Sequence, residues 1–249
     1  MSPRRFHIRP EAIDRARLTF DPEEARHIAR VLRLRAGDLV LAVDGAGREY
    51  TVRLERVTPL EVVGTVLAAE RRAAESRLQI SLAQSVPKGD KMEAIVRAAT
   101  ELGVARLVPV ISERTVVRLD PARWRDRARR WQRCAREAAK QCGRAVIPPV
   151  DPPRPLAEFL GDAVVGELRL CFWEGEARGL GAVLDAVPAN VTDVTVLIGP
   201  EGGLAAHEVE SARQHGFSVV GLGPRILRTE TAGPAVIAVL QSRLGDLGT

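Results

Sequence analysis

The chain has 249 residues, 45% of them hydrophobic and 4% aromatic, with a formal net charge of +5. That length accommodates one large domain or two smaller ones, and the apolar fraction suffices for a core. No apolar run approaches the roughly 20 residues that a membrane helix needs. The first segment, MSPRRFHIRPEAIDRAR, carries two early arginines with no apolar stretch behind them, so no signal peptide is expected and the expected location is cytoplasmic. Cys134, Cys142 and Cys171 form no C-x-x-C pair, and neither they nor His7, His27, His207 and His215 have metal-ligand spacing. Free thiols and no metal are expected.

Residues 1–72 predict a small β-rich domain. A helix from about Pro22 to Leu34 carries Ala25, Ile28, Ala29 and Leu32 on one side, and strands follow over residues 39–45, 48–57 and 61–70. The stretch VDGAGREY is followed by another strand rather than a helix, which makes it a hairpin turn and not the acidic turn of a Rossmann-type site.

Across residues 73–249 the pattern changes to alternating strand and helix. A strand over 78–84 precedes a helix over about 88–102, with Met92, Ile95, Val96, Ala99 and Leu102 on its core side and Gly103 at its end. A strand over 105–110, a long arginine-rich helix, and strands over 167–173 and 194–198 come next. A helix over 205–215, a strand over 217–222 and a final helix from about 231 to 244 complete the order. Residues 148–166 and 175–193, rich in Pro and Gly, predict surface connections. Such alternation argues for an α/β fold with a parallel sheet covered by helices on both faces.

The positive charge is local. Residues 73–144 hold 16 Lys and Arg against 8 Asp and Glu, whereas residues 145–249 hold 7 against 13. The excess peaks between Arg114 and Arg144. Trp124, Ala128, Trp131, Ala135, Ala138 and Cys142 recur there at steps of four and three, one apolar stripe with arginines around it. Both tryptophans therefore predict core packing. The arginine surface suits either a phosphate-binding face or a solvated helix face.

Two glycine-proline turns carry the functional signal: IGPEGG (Ile198–Gly203) and LGPRILRTETA (Leu222–Ala232), each at the end of a predicted strand. Strand-end loops of α/β sheets bind ligands, and these two would lie side by side if their strands were neighbours. Neither a P-loop nor a G-x-G-x-x-G fingerprint is present. Both strings closely resemble the RsmE family of the SPOUT class of S-adenosylmethionine-dependent RNA methyltransferases, which methylates N3 of a uridine in small-subunit ribosomal RNA. RRFHI, HIARVLRLRAGD, SVPKGDKMEAIVRAATELGV and AREAAKQCGR are also similar to family patterns.

The resemblance implies a PUA-like β-barrel over residues 1–72, which binds RNA, and a SPOUT methyltransferase domain over 73–249 with a C-terminal trefoil knot. It also implies S-adenosylmethionine as cofactor, small-subunit ribosomal RNA or the assembled subunit as partner, and a homodimer. Ile198, Gly199, Glu201, Gly203, Leu222, Gly223, Ile226, Leu227 and Thr229 would form the cofactor site. In it, backbone groups read adenine between apolar side chains. Methylation at N3 requires a proton acceptor or stabilisation of the uracil anion. Arg225, Arg228 and Glu230 are the catalytic candidates, with membership in structural ion pairs as the competing role for Arg228 and Glu230; Glu201 either touches substrate or caps its loop. Arg4, Arg5, Arg30, Arg33 and Arg144 are the RNA-binding candidates. The alternatives are a SPOUT enzyme acting on another RNA such as transfer RNA, or a non-catalytic RNA-binding assembly factor.

Overall fold

The structure, a computed structural model, describes residues 4–71, 75–162, 166–176, 178–188 and 190–248. The chain divides into two compact units, Met1–Glu75 with Ala139–Ile147, and Ser76–Ala138 with Pro148–Thr249. Residues 72 and 73, on either side of the boundary expected from sequence, lie outside the described residues.

The first unit is built on a six-stranded sheet of β1 (Arg5–His7), β2 (Ile13–Asp14), β3 (Arg17–Thr19), β4 (Leu39–Val43), β5 (Arg48–Val57) and β6 (Val62–Arg71), in the order β1-β4-β5-β6-β3-β2. β1 runs parallel to β4, and the other pairs are antiparallel. The sequence predicts the three longer strands; β1 to β3 are too short to show alternation. Phe6 and Leu18 from these short strands close a core with Ile28, Val40, Val52 and Leu54. Asp21 caps α1 (Pro22–Arg26), accepting the amide hydrogens of Glu23 at 3.0 Å and Glu24 at 2.9 Å. The helix expected to reach Leu34 does not continue regularly. His27–Val31 widen into a π turn in which the Leu32 amide donates to the His27 carbonyl at 3.0 Å. The expected apolar side still faces inward, with Ala25 and Ile28 buried and Ala29 and Leu32 half-buried, while Val31 is exposed.

The second unit holds a six-stranded sheet, parallel throughout, in the order β12-β10-β11-β7-β8-β9. Its strands are β7 (Gln79–Ser85), β8 (Arg106–Ile111), β9 (Arg154–Pro155), β10 (Leu168–Phe172), β11 (Asp193–Ile198) and β12 (Ser218–Val220). The helices are α2 (Lys91–Glu101), α3 (Pro121–Cys142), α4 (Leu156–Gly161), α5 (Leu180–Leu184), α6 (Ala206–Gln214) and α7 (Thr229–Leu244). Side chains alternate across the sheet. Ala83, Val108, Cys171 and Leu197 join Leu156, Phe159 and Leu160 of α4 and Val209 and Ala212 of α6 in one core. α7 packs on β7 and β11 and against α2. A β-carbon on Gly233 would already touch Leu82, so the absence of a side chain there lets α7 lie close to β7.

Two expectations are corrected. Residues 148–166 and 175–193 are not mere connections, since they contain α4 and α5, whose Leu156, Phe159, Leu160, Leu180, Val183 and Leu184 are buried. Helices of five or six residues have too few turns to display a period. α7 begins at Thr229, not near 231, so Pro234 lies inside the helix rather than in its first turn. Its missing amide hydrogen withdraws the ordinary i−4 donor from the Glu230 carbonyl.

In α3, Trp124, Ala128, Trp131, Ala135 and Ala138 are buried as their spacing predicts, whereas Cys142 is exposed. Among the described residues, no helix is long and apolar enough to cross a membrane. Trp131, 2% exposed, is the inner anchor of α3. Trp131→Ala should lower unfolding stability by about 3–5 kcal/mol in urea titration. The exposed neighbour change Arg133→Ala should stay within about 0.5 kcal/mol of the parent, and equal effects would remove the core assignment.

Candidate active site

Strands of a parallel sheet end on one edge, and ligands bind there. β11 and β12 both release their glycine-proline loops at that edge, but they are not neighbours, because β10 lies between them. The segment from Gly221 to Thr229 spans the gap. At its start the Gly221 amide donates to the Arg178 carbonyl at 2.8 Å. At its end the Thr229 hydroxyl donates to the Gly199 carbonyl at 2.7 Å. The loops thereby enclose a cleft of about 650 Å³, within the usual range for small-molecule sites.

Close approach explains two of the glycines. Gly203 has φ +68°, and a β-carbon there would collide with the Glu174 carboxylate. One on Gly199 would stand 3.0 Å from the Leu204 amide nitrogen. The turn is packed against its own backbone, which leaves a side-chain-free wall facing the cleft.

All nine residues expected to hold the cofactor line this cleft, namely Ile198, Gly199, Glu201, Gly203, Leu222, Gly223, Ile226, Leu227 and Thr229, as do Arg225, Arg228 and Glu230. Their surroundings differ. Ile198 and Thr229 are buried, whereas Ile226, expected as an apolar wall, is 85% exposed. Phe172, Trp173, Glu174 and Glu176 also line the cleft, supplied by the end of β10, and so does Lys91 from the first turn of α2. Sequence reasoning missed these five, because only the strand order puts the β10 end between the two loops and only tertiary packing brings the start of α2 to them.

Lys91 organises the charges. Glu201 Oε1 accepts from the Lys88 amide at 3.0 Å and from Lys91 Nζ at 3.1 Å, which ties the loop after β11 to the start of α2. Lys91 Nζ also lies 3.5 Å from Glu230 Oε2. Burial alone would raise the Glu201 carboxyl, but hydrogen bonds from its own amide, the Lys88 amide and Lys91 outweigh it and hold it below its ordinary value. The Lys91 ammonium is held above its ordinary value, chiefly by the Glu201 hydrogen bond acting against partial desolvation, with the charges of Glu201 and Glu230 adding to it. Arg114 Nη1 donates to the Gly202 carbonyl at 2.8 Å and braces the same loop. Arg228 is 83% exposed in its side chain and only loosely paired, 4.0 Å from Glu230, whereas Glu230 has Lys91 as its nearer partner.

None of the five RNA-binding candidates lines the cleft; all belong to the first unit. Arg4, Arg30 and Arg33 are exposed. The other two are held in ion pairs. Arg5 is engaged by Glu49, with Nη2 at 2.7 Å and Nε at 3.0 Å from Oε2. Arg144 is buried against Glu75 in the same two-pronged manner, at 2.7 and 3.0 Å. Lys140 is likewise taken by Glu24 at 2.8 Å. On α3, Arg125, Arg133 and Arg136 are exposed and make no ion pair among the described residues.

A family model described as an RNA methyltransferase domain matches residues 74–241, and one described as an RNA methyltransferase PUA domain matches residues 20–67. The chain is 33% identical to ribosomal RNA small subunit methyltransferase E of Bacillus subtilis over 84% of both chains. It is 34% identical to the protein of that name from Synechocystis, over 96% of this chain and 78% of the relative. A Legionella pneumophila methyltransferase in complex with the bound cofactor SAM superposes with a TM-score of 0.90 at 33% identity, covering 99% of this chain and 100% of that one. Ribosomal RNA small subunit methyltransferase E of Neisseria gonorrhoeae, bound to S-adenosyl methionine, gives 0.87 at 33%, covering 98% and 99%.

The Lys91–Glu201 pair has a pH signature. Glu201 stabilises the fold above its ordinary pKa of 4.5 and loses that contribution as pH falls through its lowered folded value. Lys91 stabilises below its ordinary 10.5 and loses that contribution as pH rises through its raised folded value. Thermal unfolding should therefore show wild type above Lys91→Met between about pH 5 and pH 10, with the gap closing on both sides. A gap independent of pH would exclude this pair as its source.

Proposed function

The chain belongs to the ribosomal RNA small subunit methyltransferase E family, and we propose that it transfers the methyl group of S-adenosylmethionine to N3 of a uridine in small-subunit ribosomal RNA. The observation that carries this reading is the convergence of GPEGG and LGPRILRTETA on one glycine-walled cleft, although their strands are not adjacent. The cleft fits the cofactor: it has small-molecule size, side-chain-free walls at Gly199 and Gly203, and half-buried Leu222 and Leu227 to flank a flat ring. When bound, the cofactor supplies an electrophilic methyl on a cationic sulfur.

The chain's own residues then serve the acceptor. Glu230, at the first turn of α7 and beside Lys91, takes the N3 proton of uracil so that the nitrogen lone pair is free for attack. Arg225 and Arg228, both exposed on the cleft rim, offset the negative charge that develops on the uracil oxygens. The RNA backbone is held by exposed arginines, Arg4, Arg30 and Arg33 on the first unit and Arg125, Arg133 and Arg136 on α3 of the second. The protein acts as a homodimer, and exposed Val239 and Leu247 provide apolar surface for the second copy.

Incubation with labelled cofactor and small ribosomal subunits lacking this modification should label a uridine at N3. Label confined to transfer RNA would overturn the substrate. Glu230→Gln should lower the methylation rate by about 10²- to 10⁴-fold, with cofactor affinity unchanged in calorimetry. A rate equal to wild type would remove Glu230 as the proton acceptor. Light scattering should report about twice the 27.1 kDa chain mass, and a monomer would exclude the dimer.

A further inference from the structure

Gln84 lies near the end of β7, flanked by Ile198 of β11 and Pro109 of β8, and is fully buried behind the cleft rather than in its lining. Its amide nitrogen Nε2 lies 3.1 Å from the Ser85 carbonyl oxygen and 2.9 Å from Thr229 Oγ1. A carbonyl oxygen only accepts, so the atom facing Ser85 is the nitrogen and it donates. The same nitrogen donates to Thr229. That leaves the single proton of the Thr229 hydroxyl for the Gly199 carbonyl, which again only accepts, at 2.7 Å. The two carbonyl ends therefore dictate the direction of the whole chain, from Gln84 through Thr229 to Gly199.

This chain links three elements: the central strand β7, the first residue of α7 and the loop after β11. Gly233, one turn beyond Thr229, makes the link possible. A β-carbon there would stand 3.1 Å from Gln84 Oε1 and press α7 away from the amide. We infer that Gln84 is a positioning residue for the cofactor, setting through the Thr229 hydroxyl the separation of the two loops that enclose it. The inference rests on the reading that the cleft binds S-adenosylmethionine. It differs from a packing role in one respect: what matters is the direction in which the Thr229 proton points.

Gln84→Glu exploits that difference. Burial raises the pKa of the introduced carboxyl. Its acid form retains an O–H that donates to Thr229, while its ionised form only accepts and draws the Thr229 proton away from Gly199. Calorimetry with S-adenosylmethionine, taken as the ratio to wild type at each pH on protein whose fold is checked by circular dichroism, should show binding within about threefold at pH 6 and about tenfold weaker at pH 8.5. Thr229→Val should be about tenfold weaker at both pH values, with Thr229→Ser closer to wild type. A Gln84→Glu ratio that does not change with pH, or Thr229→Val binding as tightly as wild type, would overturn the inference. Should Gln84→Glu not fold, Gln84→Met, which keeps the length and removes the donor, should bind about tenfold more weakly at both pH values, and binding equal to wild type would overturn the inference. Wild type that binds no cofactor would instead remove the functional reading beneath it.

Discussion

A parallel sheet delivers all its strand ends to one edge, and here three of those ends must be joined by a single segment. Residues Gly221 to Thr229 leave the outermost strand, β12, and reach the loop after β11 on the far side of β10. Everything in the cleft depends on that span being held. It is held by backbone pairing with residues 178–180 at one end and by the buried Thr229 hydroxyl at the other. Thr229 is shielded from solvent, so losing its partner leaves an uncompensated polar group, which costs about 1–3 kcal/mol where water cannot replace it. Glycines at Gly199, Gly203, Gly221 and Gly223 give part of the cleft wall a backbone surface, with charged side chains around it.

The charges divide into two populations. Buried and half-buried cations are committed internally: Arg144 to Glu75, Arg5 to Glu49 and Lys140 to Glu24. Once buried, a cation needs a partner, because an uncompensated charge away from water is costly. The exposed population on α3 includes Arg125, Arg133 and Arg136. A phosphate backbone can be met only by this second population.

Inside the cleft the same distinction separates roles. Glu201, which the sequence leaves as either a substrate contact or a loop cap, binds Lys88 and Lys91 and so fastens its loop to α2. Arg114, counted by sequence with the basic stripe, braces the same loop from the other side through the Gly202 carbonyl. Arg225 and Arg228 are exposed at the rim and remain available to a substrate. Pro234 adds a local effect of its own, withdrawing the helical donor from the Glu230 carbonyl at the start of α7.

Much of this was present in the sequence because it depends on neighbours along the chain. Five of the six strands of the parallel sheet, the apolar stripe of α3 with Trp124 and Trp131 inward, and the two glycine-proline turns are all local patterns, whereas β9, two residues long, falls in an expected connection. The family strings added the chemistry that periodicity does not carry. Other features depend on residues brought together across the fold. The π turn after α1 interrupts a helix that periodicity alone would carry on to Leu34, and α4 and α5 are too short to show a period. The pairing of Glu201 with Lys91, of Arg144 with Glu75 and of Gln84 with Thr229 joins positions 69 to 145 residues apart. By itself the sequence determined which turns form the cleft, because glycine and proline act on their own backbone. Only the tertiary structure decided that β10 stands between those turns, that five further residues line the cleft, and which arginines remain at the surface, because strand order and burial are set by contacts between distant segments.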